Sequence, residues 1–161
     1  SIPNTKVNKI DAPVLIFDEI EKPGNLGAIL RTSEALGGGL ILLSEPKVDF
    51  FNPNVIRSSR GLTGKVNVRS GSKEEIYNWL QKQGLPCVAT SSKAPEFSHS
   101  FTYDQNVAII FGNEHNGLGD YWKQKVDHWV SLKMFGDASS LNLNVSVGCI
   151  LSDYNRSVGK L

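Results

Sequence analysis

Apolar and polar positions along this chain alternate between two periods. Short β-rich apolar runs occupy PVLIFDEI (13–20), LILLSE (40–45), LPCVATSS (85–92), NVAIIFGNE (106–114) and WVSLKM (129–134), and KVNVRS (65–70) reads as a briefer one. Between them lie stretches with helical spacing. In GNLGAILRTSEALG (24–37), Leu26, Ile29, Leu30 and Leu36 recur at near-helical intervals, and Gly37-Gly38-Gly39 supplies a stop. NPNVIRSSRG (52–61) offers Asn52 as a cap with Pro53 at the first helical position. SKEEIYNWLQKQG (72–84) opens on Ser72 with Glu75 three residues later. That is a capping box, in which the hydroxyl and the carboxylate each take up an otherwise unpaired backbone N–H, and Gly84 ends it. SLNLNVSVGCILSDYNRS (140–157) predicts a long final helix. Strands separated by helices imply βαβ units, hence an α/β domain with a mostly parallel sheet flanked by helices.

Composition narrows the picture. At 161 residues and 40% apolar, the chain has the size of one domain with a substantial core, and no repeat or linker divides it. No apolar run is long enough to cross a membrane, and SIPNTKVNKID has no signal-peptide pattern, so the expectation is a soluble cytoplasmic protein. Cys87 and Cys149 sit in apolar contexts and read as buried free thiols in a reducing compartment. A formal charge of +1 argues against a blanket of positive charge, which leaves local clusters. Arg57, Arg60, Lys65, Arg69 and Lys73 precede Glu74 without an intervening acid, either as a solvated face or as a patch for phosphates.

Parallel sheets bind ligands beyond the carboxyl ends of their strands, which directs attention to three loops. These are the segment entering the first helix, FGNEHNGLGD (111–120) and KMFGDASSLNLN (133–144). In GNEHNGLG (112–119), Leu118-Gly119 stands where a phosphate-binding loop needs Lys and Ser or Thr, and no G-x-G-x-x-G follows the first strand. His99, His115 and His128 are scattered and no C-x-x-C or H-E-x-x-H occurs, so no metal site is expected. No G-x-S-x-G supports a hydrolase.

Taken in order, Asn25-Leu26-Gly27-Ala28-Ile29-Leu30-Arg31-Thr32, Phe111-Gly112-Asn113-Glu114 with Gly117-Leu118, and Ser140-Leu141-Asn142-Leu143-Asn144-Val145-Ser146-Val147 resemble the three motifs of the SpoU-type, TrmH-like RNA 2'-O-ribose methyltransferases of the SPOUT superfamily. The resemblance runs from Val14 to Arg156, and IRSSRG (56–61) is similar to the family's intervening Arg-x-Ser-x-Gly element. It implies a deep trefoil knot near the carboxyl end, S-adenosylmethionine held in that knot, and a homodimer packed through the knotted region and the last helix. It further implies methyl transfer to a ribose 2'-hydroxyl of tRNA or rRNA, with no metal and no membrane. The helix residues Leu141, Val145, Val147, Ile150, Leu151 and Tyr154 carry more apolar surface than one packed face needs, in keeping with a dimer.

Under that resemblance the catalytic residues are Asn25, Arg31, Glu114, Ser140 and Asn142. Arg31 would act on the 2'-hydroxyl, and since a guanidinium stays protonated, charge stabilisation and orientation are the physical reading. Asn25 would fix Arg31 and the ribose, Glu114 would position groups across the site, and Gly24 and Gly27 would let backbone approach closely. Ser140 and Asn142 would open the final helix as caps or substrate contacts. Thr90, Gly112, Leu132, Met134 and Leu141 would form the cofactor pocket, glycine leaving room for adenine, while Arg57, Arg60 and Arg156 would meet RNA phosphates. His115, Asn116 and Gly119 depart from the family pattern. The domain spans 1–161, either a minimal tRNA-modifying type or a catalytic domain cut from a longer enzyme with an amino-terminal RNA-binding domain. The alternative function is a knotted RNA-binding protein that has lost catalysis.

Overall fold

Six short strands, every residue of the inner ones apolar or tightly bonded, form the centre of the computed structural model, which describes residues 2, 10, 12–49, 52–58 and 67–161, with 56–58 as backbone alone. In chain order the elements are β1 (Val14–Asp18), α1 (Pro23–Ala35), β2 (Ile41–Ser44), α2 (Pro53–Ser58), β3 (Val68–Gly71), α3 (Lys73–Gln83), β4 (Cys87–Thr90), β5 (Ala108–Phe111), α4 (Asp120–Lys123), β6 (His128–Val130) and α5 (Leu143–Ser157). All neighbours pair in parallel, in the order β3-β2-β1-β5-β4-β6.

Strict alternation divides the core. Leu15, Phe17, Ile41, Leu43, Ile109 and Phe111 point to one face, where α1 and α5 cover them with Leu26, Ile29, Leu30, Val147, Ile150 and Leu151. Val14, Ile16, Leu42, Ala89, Ala108 and Ile110 point to the other, under Ile76, Trp79 and Leu80 of α3 and Trp122 of α4. Burial on both faces is why these strands read as unbroken apolar runs.

The predicted capping box holds: Glu75 N–H donates to the Ser72 hydroxyl and Ser72 N–H to the Glu75 carboxylate, both at 3.1 Å, and Gly84 closes α3 with a left-handed φ of 67°. Two expectations are corrected. The final helix begins at Leu143, with Asn142 rather than Ser140 as its cap, since the Asn142 side chain accepts the Asn144 N–H at 2.9 Å. Cys149 is exposed, whereas Cys87 is buried, its thiol pushed up to about 12 by burial and the Asp127 charge. The 3₁₀ turn Ser98–Ser100 and the single turn α4 carry too few residues to show a periodic pattern. Among the described residues no helix is long and apolar enough to cross a membrane.

Candidate cofactor cleft and active site

The chain leaves β1 for β2 and β3 on one side and returns to β5, β4 and β6 on the other, so β1 and β5 flank the point where strand order reverses. A crevice beyond the carboxyl ends of those two strands is where such sheets take ligands. Here the loop after β1 enters α1 and the loop after β5 faces it. The cap position of α1 is Lys22, whose side chain has no oxygen to offer, and its first helical residue is Pro23. Glu114 supplies the missing acceptor from the opposite loop: its carboxylate takes the N–H groups of Glu21 (3.2 Å) and Lys22 (3.1 Å) and the Asn25 amide (3.2 Å). A carboxylate at a helix amino end also meets the positive end of the helix dipole. Burial pushes the Glu114 carboxyl up, but the backbone and Asn25 donors outweigh it and hold the group below its ordinary 4.5.

Asn25 continues the chain of contacts. Its amide donates to Glu114 while its oxygen accepts from the Asn142 amide at 3.4 Å. About two turns along α1 and in the first turn of α5, Thr32 donates to Asn144 at 2.7 Å. The three motif segments are thus hydrogen-bonded to one another, through residues 89 to 117 positions apart in sequence.

Loop 113–119 owes its shape to Asn113, which was absent from the predicted site. Asn113 and Gly117 exchange backbone bonds at 2.9 and 3.0 Å, the Asn113 side-chain oxygen accepts the N–H groups of His115 and Asn116, and its amide donates to the Glu19 carbonyl at 2.7 Å. His115 and Asn116, two of the departures from the family pattern, therefore sit at the tip of a closed turn. Gly117 has φ 69°, and a Cβ on Gly112 would lie 2.3 Å from the Gly117 carbonyl carbon and the Leu118 nitrogen. Gly112 is required by the loop folding back on itself. A Cβ on Gly24, by contrast, would meet nothing within 4 Å among the described residues.

Behind this loop opens a cleft of about 700 Å³. All five predicted cofactor residues, Thr90, Gly112, Leu132, Met134 and Leu141, line it, together with Asn25, Glu114, Ser140 and Asn142. Its volume falls within the range of small-molecule sites, and Val130, Leu118 and Ile150 add apolar wall to the exposed backbone amides and carbonyls, a lining suited to a nucleoside. Arg31 does not line the cleft: it is exposed on α1, six residues or about 9 Å of helix rise past Asn25 and about 120° around the axis. It makes no ion pair with the described residues. Arg156 is exposed near the far end of α5 and paired with Asp153. The Arg57 side chain and Arg60 lie outside the described residues. Of the basic run, Lys73 turns inward to Asp18 and Glu19, both at 2.8 Å. Among the described residues no group of three His, Cys, Asp or Glu is placed to hold a metal ion.

The sequence profile of the SpoU rRNA Methylase family matches residues 12–152. The chain belongs to that family. It is 33% identical over 143 residues to a 23S rRNA (uridine(2479)-2'-O)-methyltransferase of Streptomyces viridochromogenes, covering 85% of this chain and 50% of that protein. It is 31% identical over 141 residues to a 23S rRNA (guanosine-2'-O-)-methyltransferase of Xanthomonas campestris, covering 87% and 57%. The chain thus spans about half the length of these curated relatives. Among solved structures, the SpoU methyltransferase AviRb of Streptomyces viridochromogenes in complex with AdoMet superposes with a TM-score of 0.87 at 28% identity, covering 95% of this chain and 63% of that one. The six-stranded parallel sheet flanked by helices is the fold of this family member.

Proposed function

We propose that this SpoU-family chain carries out S-adenosylmethionine-dependent methyl transfer to a ribose 2'-hydroxyl of tRNA or rRNA. The observation that carries the reading is the convergence of three motif loops on one cleft, tied by the Glu114–Asn25–Asn142 hydrogen bonds. When bound, S-adenosylmethionine supplies an electrophilic methyl group. Thr90, Leu132, Met134 and Leu141 would hold its nucleoside, and Gly112 keeps loop 113–119 folded beneath it. Asn25 and Asn142 present amide groups at the cleft's edge to orient a ribose, and Ser140 adds a hydroxyl there. Arg31 lies off the cleft of its own chain; in a homodimer its guanidinium, free of other ion pairs among the described residues, would bring a permanent positive charge to the 2'-oxygen in the second copy's site as that oxygen develops negative charge. Arg57, Arg60 and Arg156 would contact RNA phosphates, making binding salt-sensitive.

The reading includes a trefoil knot formed by the segments around the cleft and a homodimer. Val145 is 48% exposed on the outward edge of α5, with Leu141 38% exposed just before the helix and Cys149 exposed one turn on, an apolar stripe in keeping with a second copy packing there. The catalytically inactive alternative draws no support, because Asn25, Arg31, Glu114 and Asn142 are all present and the relatives above are named as methyltransferases. Two measurements test the reading together. Calorimetric titration with S-adenosylhomocysteine should show binding that ATP does not compete, and label should pass from methyl-tritiated S-adenosylmethionine to tRNA or rRNA. Arg31→Ala should abolish the transfer while leaving cofactor affinity intact. A folded protein that binds neither S-adenosylmethionine nor S-adenosylhomocysteine at about millimolar concentration sinks the proposal.

A further inference from the structure

Along residues 132–135, cleft-lining and exposed side chains alternate. Leu132 and Met134 line the cofactor cleft, whereas Lys133 and Phe135 are exposed, Phe135 at 89%. On the outer side the segment meets a second one: Phe97 bridges Ser131 in parallel register, Ser98 N–H donates to the Ser131 carbonyl (2.8 Å), Ser131 N–H to the Glu96 carbonyl (2.9 Å) and the Ser131 hydroxyl to the Ala94 carbonyl (2.7 Å). This fixed base supports a row of flat and charged groups. The His99 imidazole stacks on Phe97 with centroids 5.6 Å apart and planes 14° from parallel, and Lys133 Nζ lies 5.7 Å from the Phe97 ring and 5.4 Å from the Phe135 ring.

We propose that this row, Phe135 above all, is a stacking platform for an unpaired nucleotide of the RNA, beside the nucleotide being methylated. A ribose inside a paired strand cannot enter a cleft, so the RNA must present an unstacked nucleotide, and its neighbours then expose bases that aromatic rings can receive. The platform lies on the reverse side of the segment that walls the cleft, a few residues from Ser140 and Asn142. Lys133, between the two phenyl rings, stands where a phosphate between stacked bases would pass. Glu96 and Asp137 are exposed neighbours in sequence, so the local charge is balanced and stacking, rather than charge alone, carries the recognition. A lone exposed phenylalanine would need no explanation. Two phenyl rings, an imidazole and an ammonium in one row, anchored by three hydrogen bonds, form an assembled surface.

The proposal rests on the RNA-directed reading above and is tested on the full chain by fluorescence anisotropy. The probes are labelled single-stranded oligo-uridine and an RNA duplex of equal length, with S-adenosylhomocysteine titrated in parallel. Phe135→Ala should weaken oligo-uridine binding roughly ten-fold, the loss persisting at high salt, while Phe135→Trp restores it and Phe97→Ala has a smaller effect. Duplex binding and S-adenosylhomocysteine affinity should not move. A wild-type chain that does not bind oligo-uridine, or a Phe135→Ala variant that binds it unchanged, overturns the platform. So does a Phe135→Ala variant whose sedimentation shows an altered oligomeric state, since the ring then belongs to a protein interface. Loss of S-adenosylhomocysteine binding in the wild type would instead strike the proposed function, leaving the platform to be judged on the oligonucleotide.

Discussion

Two glycines of the motif loops separate by what an added methyl would touch. Gly112→Ala must push its Cβ into backbone 2.3 Å away, so the 113–119 turn has to open; a destabilisation of about 1–3 kcal/mol and loss of S-adenosylhomocysteine binding are expected. Gly24→Ala meets open space within a helix and should be neutral or stabilise by up to about 1 kcal/mol, through the reduced freedom of the unfolded chain. Urea midpoints check both, and a destabilised Gly24→Ala would refute the argument. Glu114→Gln replaces a carboxylate that caps α1 in place of Lys22, and should lower stability by about 1–2 kcal/mol at neutral pH. Because the Glu114 carboxyl is held below its ordinary value, its contribution is fully present above 4.5 and is lost as pH falls through the lower folded value. The gap between wild type and Glu114→Gln should therefore close in acid, and a gap that persists at pH about 3 would remove the charge from the explanation. At this scale the sequence was half legible. Asn25, Glu114 and Asn142 stand out by residue type in a motif, but Asn113 works by bonding to the carbonyl of Glu19, 94 positions away, and nothing local in the sequence carries that information.

At the carboxyl edge of the sheet, β1 and β2 are followed at once by Glu19 (φ 53°) and Glu45 (φ 43°), conformations that non-glycine residues hold only when their surroundings impose them. The first residue of α3 binds the side chains of both. Lys73 donates through its backbone N–H to the Glu45 carboxylate at 3.2 Å and through Nζ to Asp18 and Glu19. Asp18, 1% exposed, in turn accepts the Ser44 hydroxyl and reaches Gly119 N–H, joining α3 to the loop beneath the cleft. Burial pulls the Lys73 ammonium down, but the Asp18 and Glu19 partners outweigh it and raise it above 10.5, while Lys73 and Lys47 hold the Glu19 carboxyl below 4.5, so the Lys73–Glu19 pairing is fully present between 4.5 and 10.5 and is lost as pH rises through the higher folded Lys73 value or falls through the lower folded Glu19 value. Lys73→Met strands a buried carboxylate and should cost about 2–4 kcal/mol at neutral pH. Lys73→Met/Asp18→Leu should recover part of that loss in thermal unfolding, and failure to recover any would mean that the charge pair is not what the edge depends on. The strands and the longer helices were readable because period and caps are local signals. Lys73 was not: in sequence it belongs to a basic run, and only the fold turns it inward.

For the whole molecule, the order of elements announced a parallel sheet, and the cleft opens beyond the carboxyl ends of β5, β4 and β6, reaching the entry of α1 at Lys22 and Asn25, so that all three motif loops border it. What periodicity could not assign was the destination of the surplus apolar residues in α5. Val147, Ile150, Leu151 and Tyr154 are buried in the chain's own core, whereas Val145 and Cys149, one turn apart, face outward. If a second copy covers that stripe, Cys149 is shielded in the dimer although exposed on one chain, and Cys87 is shielded in either state. A maleimide should then label the wild-type dimer slowly at both cysteines. Val145→Glu puts a charge one turn from Cys149 on the proposed interface, so it should convert the protein to a monomer in sedimentation and speed labelling of Cys149 at least ten-fold, while Cys87 stays slow until the chain unfolds. The Cys87 rate serves as the internal control for folding. Rapid labelling of Cys149 in the unaltered protein, with sedimentation as a dimer, would place the interface on another face of the molecule and leave the stripe solvent-exposed.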